Sequence, residues 1–511
     1  MKTNIPSHLI KAAALWLCAT LAGCVDDMSE GPVVPLDEVM ISGIDDRYTD
    51  VYVGRTLSIR PVVNNLSGDA SRLEYYWITY NRTTQKRPDT LSREKDLNVE
   101  IHLIPGEHTV KFKAVDRPTG VFYEKEFTIS VVNDFTNGLL ILGRTGDNAL
   151  LHFWVPGRDE VITDVYGKLN NGQSVGQHPR RVVFTPYTSE LASEVLVLCD
   201  DGQGGRILDN TTMAYKRDYA DLFFGTVKNE YRPQAYFRSS MREYLVDGGL
   251  LYDRAVNSNP PDSYVRPNMS SSLGTYAIAP DADFGDDVES TSRMVVYDNL
   301  NTCFYVLYDI TSAYLTTVKN TSGMQYVDGG NFNPDNVGME CIYAGLCSRS
   351  ATGAREYAGV FRDNAGALWL LRAGIGFWVE NASPDRYFKD IDKVRIESPD
   401  IAAATSFTCG AALPDYLFYA AGSSIYAYSM TGRTGQKVFD FNAGGGMFAI
   451  DRIEMERGGR RLWVAFRNLK EQHDAAGFAG LQVQTDGGLQ VREDIRHEGL
   501  ADEIVDFESK Y

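Results

Sequence analysis

GLLILGRTGDNALLHFW, residues 138–154, holds two apolar runs on either side of a polar turn, Arg144-Thr145-Gly146-Asp147-Asn148. Short apolar runs bounded by Gly, Asp and Asn are the pattern of a strand, a tight turn and a second strand. Six further stretches share this texture: EVLVLCDDGQGGRILD, EYLVDGGLLYDR, RMVVYDNLNTCFYVLYD, YAGVFRDNAGALWLLR, YLFYAAGSSIYAYSM and RLWVAFRNLKEQHDAAGFAGLQVQ. The seven units start at 138, 194, 243, 293, 357, 416 and 461, giving steps of 56, 49, 50, 64, 59 and 45 residues. Such spacing suits four-stranded propeller blades with variable outer loops. Residues 134–511 are therefore expected to form a β-propeller of about seven blades, with DEIVDFESK (502–510) pairing with the first unit to complete the ring. A β-solenoid or two stacked sandwiches are the alternatives.

Upstream, the texture is different. YVGRTLSIRPVV, LEYYWITY, LNVEIHLI, HTVKFKAV and FYEKEFTISVV follow one another between turn residues. In HTVKFKAV, Val110, Phe112 and Ala114 alternate with Lys111 and Lys113, the sign of a strand with one dry and one wet face. Residues 39–133 are read as an antiparallel β-sandwich, so the whole chain is expected to be all-β.

The N-terminus carries a different instruction. Lys2 and Lys11 precede an apolar run of twelve residues, Ala12 to Gly23, too short for a membrane-spanning helix, which needs about 20. This is the grammar of a signal peptide over residues 1–23. Its end, Leu21-Ala22-Gly23-Cys24, resembles the lipobox of bacterial lipoproteins. That resemblance implies cleavage before Cys24, acylation of Cys24 and a membrane anchor of acyl chains. Asp26 and Asp27 resemble the acidic surface-export signal of Bacteroidota lipoproteins, and residues 24–38, rich in Pro, Gly and acid, read as a tether.

Tyr75-Tyr76-Trp77 and IPGEHTVKFKAVD (104–116) resemble the Trp strand and the Pro-Gly turn of PKD-like domains, a resemblance that puts Trp77 between two sheets. With VVYDNLNTCFYVL, LFYAAGSSIYAYS and KVFDFNAGGGMF, the order of segments from 24 to 510 is similar to the PKD-like family lipoproteins of Bacteroidota. The resemblance implies a SusC/SusD-type outer-membrane transporter as partner.

Composition narrows the chemistry. With 50 Lys+Arg against 68 Asp+Glu the formal charge is -18 and no basic block is present, so nucleic acid is not an expected partner. Of seven cysteines, five remain beyond Cys24, and the pair Cys341 and Cys347 could bridge only across a tight hairpin. The seven histidines form no HExxH pair, and the chain has no GxSxG elbow and no P-loop, so neither a catalytic site nor a cofactor is expected. PDADFGDDVE supplies Asp281, Asp283, Asp286 and Asp287, a calcium candidate without the EF-hand pattern, for which a solvated loop is the preferred reading. Loops gathered on one propeller face offer Tyr236, Arg238, Phe332 and Asn333 as ligand contacts. The expected function is a non-catalytic surface lipoprotein that presents a nutrient, peptide or glycan, to the transporter. A surface hydrolase or lyase on a propeller scaffold and an adhesion or structural protein are the alternatives.

Overall fold

The computed structural model describes residues 38–510, except 82–88, 133–134, 186–192, 224–229, 240–241, 257–262, 270–272, 283, 285–292, 309–313, 321–323, 350–354, 381–382 and 486–487. The chain is all-β and divides into two compact units. One holds Ser58–Val99, His108–Ile129 and the described residues up to Arg47; the other holds Tyr48–Leu57, Glu100–Glu107 and Ser130–Tyr511.

The N-terminal strands are β1 (Val39–Ser42), β2 (Arg47–Tyr52), β3 (Thr56–Ile59), β4 (Val62–Asn65), β5 (Leu73–Asn81), β6 (Asp89–Ser92), β7 (Leu97–Glu100), β8 (Gly106–Asp116) and β9 (Phe122–Val132). They form one sheet in the order β2-β9-β8-β5-β6 and two short ladders, β1-β4 and β3-β7. Alternation in β8 behaves as its sequence requires. Val110, Phe112 and Ala114 are fully buried, while Lys111 reaches Glu124 at 2.8 Å and Lys113 reaches the same carboxylate at 3.4 Å. Trp77 is fully buried, 4.5 Å from Phe112 and edge-on to Phe127, and its Nε1 donates to the Glu94 carbonyl at 2.9 Å. Gly106 opens β8 at φ +135°, a backbone region suited to Gly, as expected of the Pro105-Gly106 turn.

Residues beyond 134 carry seven successive sheets among the described residues. The first contains β10 (Gly138–Thr145), β11 (Asn148–Val155) and β12 (Glu160–Ile162), followed by the short helix α1 (Val165–Leu169). The second is β13 (Pro179–Thr185), β14 (Glu194–Cys199), β15 (Gly205–Asp209) and β16 (Tyr215–Asp218). The third is β17 (Pro233–Arg238), β18 (Arg242–Asp247) and β19 (Leu250–Ala255). The fourth is β20 (Asn268–Met269), β21 (Arg293–Asp298), β22 (Cys303–Tyr308) and β23 (Tyr314–Thr317). The fifth is β24 (Met324–Val327), β25 (Glu340–Arg349), β26 (Arg355–Arg362), β27 (Leu368–Glu380) and β28 (Ser383–Arg395). The sixth is β29 (Ser406–Cys409), β30 (Tyr416–Ala421), β31 (Ser424–Ser429) and β32 (Thr434–Asp440). The seventh is β33 (Phe448–Met455), β34 (Arg461–Asn468), β35 (Ala476–Gln484) and β36 (Gln490–Ala501). The last strand, β37 (Glu503–Lys510), returns to the first sheet and pairs antiparallel with β10, Ile141 opposite Phe507. The terminal DEIVDFESK segment thus pairs with the first unit, as expected.

Each of the seven quoted strand-turn-strand units falls in a separate sheet, where its two strands pair as a hairpin. The turn in EYLVDGGLLYDR is Gly248-Gly249, both at positive φ (60° and 79°), the two-residue geometry whose twist matches the strands it joins. Consecutive sheets share apolar packing. Leu196 and Ile207 meet Leu245 and Tyr252; Phe237 and Val246 meet Val296 and Tyr305; Tyr297 and Phe304 meet Phe361 and Phe388. Val360 and Leu370 meet Tyr419 and Tyr428, Phe418 and Ile425 meet Val464 and Leu481, and Trp463 and Phe478 meet Trp154 and Phe507. The first and second sheets are tied by polar links: the Val182 amide donates to Asp506 at 2.9 Å and Lys510 Nζ donates to the Asn210 carbonyl at 2.5 Å. The succession is propeller-like, and it explains why β14 reads EVLVLC, buried at all six positions: both of its faces are covered. Cys341 and Cys347 both lie on β25, and all five described cysteines are buried free thiols.

Candidate functional site

A cavity of about 1000 Å³ is lined by edge strands of six of the seven sheets. Its walls come from β13, β17, β25, β29, β33 and β37, together with Pro280 and Asp281. Pro280 and Asp281 extend an irregular inner segment of the fourth sheet, in which the Ala279 amide donates to Tyr297 O at 2.9 Å and the Asn299 amide to Ala277 O at 2.8 Å.

Charged pairs of both signs face this space. Arg181 Nη2 lies 2.6 Å from Asp281. Arg452 Nη2 serves two carboxylates, Asp506 at 2.7 Å and Glu454 at 3.4 Å. Asp506, 2% exposed, also accepts from the Val182 amide. Burial pushes the Asp506 carboxyl up, against the opposing pull of the Arg452 and Arg181 guanidinium groups. Burial likewise pushes Glu454 up to about 7, with Arg452 opposing and Asp506 adding to the rise.

Sequence reasoning did not find this group, although a signal was present. Arg452 and Glu454 alternate with Ile453 and Met455 in β33, with Glu456 just past its end, and Asp506 and Glu508 flank Phe507 in β37. The same charge alternation occurs in β28 and β36, which do not line the cavity, so the pattern alone does not single out β33 and β37.

The structure disperses the contacts expected from sequence. Tyr236 and Arg238 lie on β17 and line the cavity. The Tyr236 hydroxyl donates to Glu243 at 3.0 Å, and burial raises it well above the usual phenol range. Phe332 is 8% exposed and packs near Phe304 and Phe388, so it belongs to the core and not to a loop rim. Asn333 is exposed, with its Oδ1 accepting from the Asp335 amide at 3.2 Å. Of the calcium candidates, Asp281 pairs with Arg181, Phe284 beside them is buried, and Asp283, Asp286 and Asp287 lie outside the described residues. No group of three or more metal-ligating side chains occurs among the described residues. Cys24, Asp26 and Asp27 also lie outside the described residues. Among those described, no helix is long and apolar enough to cross a membrane.

Residues 24–179 match the PKD-like family. The match covers the N-terminal strands and continues through β10, β11 and β12. No curated protein matches the chain. Among solved structures, the chain is similar to a quinonprotein alcohol dehydrogenase-like protein from Bacteroides thetaiotaomicron, at 11% identity over 93% of this chain and 99% of that one, with TM-score 0.49. It is also similar to dihydro-heme d1 dehydrogenase NirN in complex with DHE (11% identity, 85% and 75% covered, TM-score 0.40). A third similarity is to the WD40 domain of SCAP from fission yeast (8% identity, 71% and 91% covered, TM-score 0.34). Similarities this low transfer no ligand or activity to this chain.

Proposed function

We propose that this chain is a lipid-anchored surface lipoprotein whose seven sheets are the blades of one propeller, and that it captures a nutrient and presents it to a SusC/SusD-type importer without catalysing a reaction. The observation that carries the reading is a cavity lined by edge strands of six of the sheets and by Pro280 and Asp281, with arginine–carboxylate pairs in its wall. A concave space with a few convergent polar groups is the usual form of a small-ligand site. The Leu21-Ala22-Gly23-Cys24 motif and the following aspartates support tethering at the outer membrane. A tether holds captured ligand near the transporter and raises its effective concentration there.

Affinity isolation of the tagged protein from gently solubilised outer membranes tests the partner. A SusC/SusD-type pair recovered in near-equal amount is expected; its absence, where other outer-membrane complexes survive, overturns the stable-complex reading. One observation favours a second reading, a hydrolase or lyase: Glu454 and Asp506 are two carboxyls with raised pKa sharing Arg452. Turnover of an oligosaccharide or peptide substrate that disappears in Glu454→Gln would establish it in place of the first.

A further inference from the structure

The ladder formed by β1 and β4 carries apolar side chains on both faces. Its inner side is core: Val39 is buried, and Ile41 and Val63 pack with it against Leu73, Ala114, Tyr75 and Tyr123. The register sets Met40 opposite Asn64 and Ser42 opposite Val62, and the Leu66 amide extends the ladder by donating to the Glu38 carbonyl at 3.0 Å. Side chains alternate between the faces of a strand, so Met40, Val62 and Leu66 share the outer face. They are 75%, 50% and 78% exposed, and among the described residues Leu66 and Met40 are the two most exposed large apolar side chains. We infer that this outer face rests on the lipid surface that holds the anchor, with Met40, Val62 and Leu66 entering its apolar layer; the inference rests on the lipid-anchor reading above.

Position in the chain and the size of the patch select the occupant. Cleavage before Cys24 leaves residues 25–38 between the acylated cysteine and β1. A chain of that length reaches about 50 Å at most, at ~3.6 Å per residue. The ladder therefore holds the strand nearest in sequence to the anchor, and it meets the membrane at the high local concentration that a tether imposes. A stable protein partner needs about 800 Å² on each side, more than three side chains offer, whereas a lipid contact that only supplements an acyl anchor needs few. Glu38 at one end is the only charge among the outward positions, Arg60 lies just past the other end, and Ser42 and Asn64 are neutral. With no net charge to draw it to anionic headgroups, the attraction is apolar and scales with buried area. Single exposed residues such as Leu300, 58% exposed in the β21–β22 turn, are ordinary on a protein surface; three on one face of a two-stranded ladder form a patch.

The full chain, purified from cells that process lipoproteins and reconstituted in phosphatidylethanolamine vesicles, provides the test. A nitrobenzoxadiazole label is placed at Leu66→Cys, at Met40→Cys or, as the control, at Leu300→Cys. The five described cysteines are buried, so the introduced thiol is the one that reacts. All three changes fall on exposed side chains, and circular dichroism verifies that the variants fold. Doxyl-labelled lipid is expected to quench the labels at positions 66 and 40 at least two-fold more than the label at 300, with their emission shifted to the blue. The quenching should persist when salt is raised from about 0.1 to 1 M, which shortens the Debye length from about 10 to 3 Å. Equal quenching at all three positions, none at 40 and 66, or its loss in high salt would each overturn the inference. A blue shift at 66 that grows with protein density and is insensitive to doxyl lipid would put a second copy on this face and overturn it as well. Mass spectrometry of Cys24 separates the two readings. Acyl mass on Cys24 with unquenched labels overturns this inference and leaves the anchor standing; no acyl mass overturns both.

Discussion

Strand β8 of the N-terminal sandwich and strand β14 of the propeller-like region bury their side chains differently. In β8, buried Val110, Phe112 and Ala114 alternate with lysines that reach Glu124 and Glu126. In β14 all six residues, Glu194 to Cys199, are buried. The first sheet presents one face to water, and the second is pressed between neighbours on both faces. Hydrophobic period therefore reports how many faces a strand has covered, not whether it is a strand. The inner strands β33 and β37 add a third case, apolar on the side of the sheets and charged on the side of the cavity.

The largest test of this contrast is deletion of residues 503–510. Strand β37 pairs with β10 and contributes Asp506 and Lys510 to links with the second sheet. Without it, β10 becomes an open edge and the first and second sheets lose those ties. Hydrogen exchange should show β10 and β13 losing protection, while β5 and β8 in the sandwich retain theirs. Persistent protection of β10 would mean that closure by β37 is not what holds the region together.

Breaking a buried ion pair comes next. Arg254 and Glu243 are 4% and 2% exposed at 2.7 Å, with Glu194, itself 5% exposed, 3.9 Å from Arg254. Glu194 is also bound by Lys216 and Arg217 at 2.6 and 2.7 Å. Arg254→Met leaves buried Glu243 without its cation, while Glu194 keeps Lys216 and Arg217, and is expected to cost about 3–5 kcal/mol in urea unfolding. The sandwich offers the control: Lys113→Met removes a 3.4 Å pair with Glu124 on a wetter face, where such pairs contribute at most about 1 kcal/mol. Equal losses would erase the distinction between the two regions.

Strand positions and turns were readable because they depend on local chemistry. The seven hairpins stand out through Gly, Asp and Asn between apolar runs, and Trp77 through the resemblance of Tyr75-Tyr76-Trp77 to the Trp strand of PKD-like domains. The pairing of β37 with β10 was readable because a repeat of strand units leaves the terminal DEIVDFESK next to the first unit. The site was harder, since Arg181, Asp281, Arg452 and Asp506 come from four different sheets and meet only once the sheets are arranged around the cavity. Loop residues such as Phe332 misled for the complementary reason: a Gly- and Asn-rich stretch looks exposed in sequence. Here Asp390 accepts from the amides of Gly329, Asn331 and Phe332 and folds the loop onto the core.

His152 on β11 sharpens the comparison by pH. Only 1% exposed, it is lowered by burial to about 4, with the charge of Lys168 as a lesser cause. An unfolded histidine titrates near 6.5, so between these values the unfolded chain binds the proton and the folded one does not. The stability this residue contributes is complete above about 6.5 and is lost as pH falls through about 4, a total of about 3 kcal/mol at 1.36 kcal/mol per unit. Urea unfolding at pH 7, 5 and 4 should show that loss in the parent, and His152→Gln should be flatter by about that amount. Parallel curves would place His152 in a wetter setting than β11 provides.

The smallest effect separates two tryptophans of equal burial. Trp77 in the sandwich donates from Nε1 to the Glu94 carbonyl, whereas Trp463 in β34, packed against Trp154 and Phe478, has no hydrogen-bond partner for Nε1 among the described residues. Substitution by Phe removes similar volume from both cores. At position 77 it also removes a satisfied bond and leaves a carbonyl behind, while at position 463 it removes a buried donor that has no acceptor. Trp77→Phe is therefore expected to cost about 1–2 kcal/mol more than Trp463→Phe, read from the unfolding of each region by site-resolved hydrogen exchange. Because lost volume is nearly common to the two variants, the difference between them isolates the polar end of the indole. A reversed order would mean that packing around Trp463, between the first and seventh sheets, is less able to relax than the sandwich core, and that the covered sheets of the propeller-like region are the stiffer of the two.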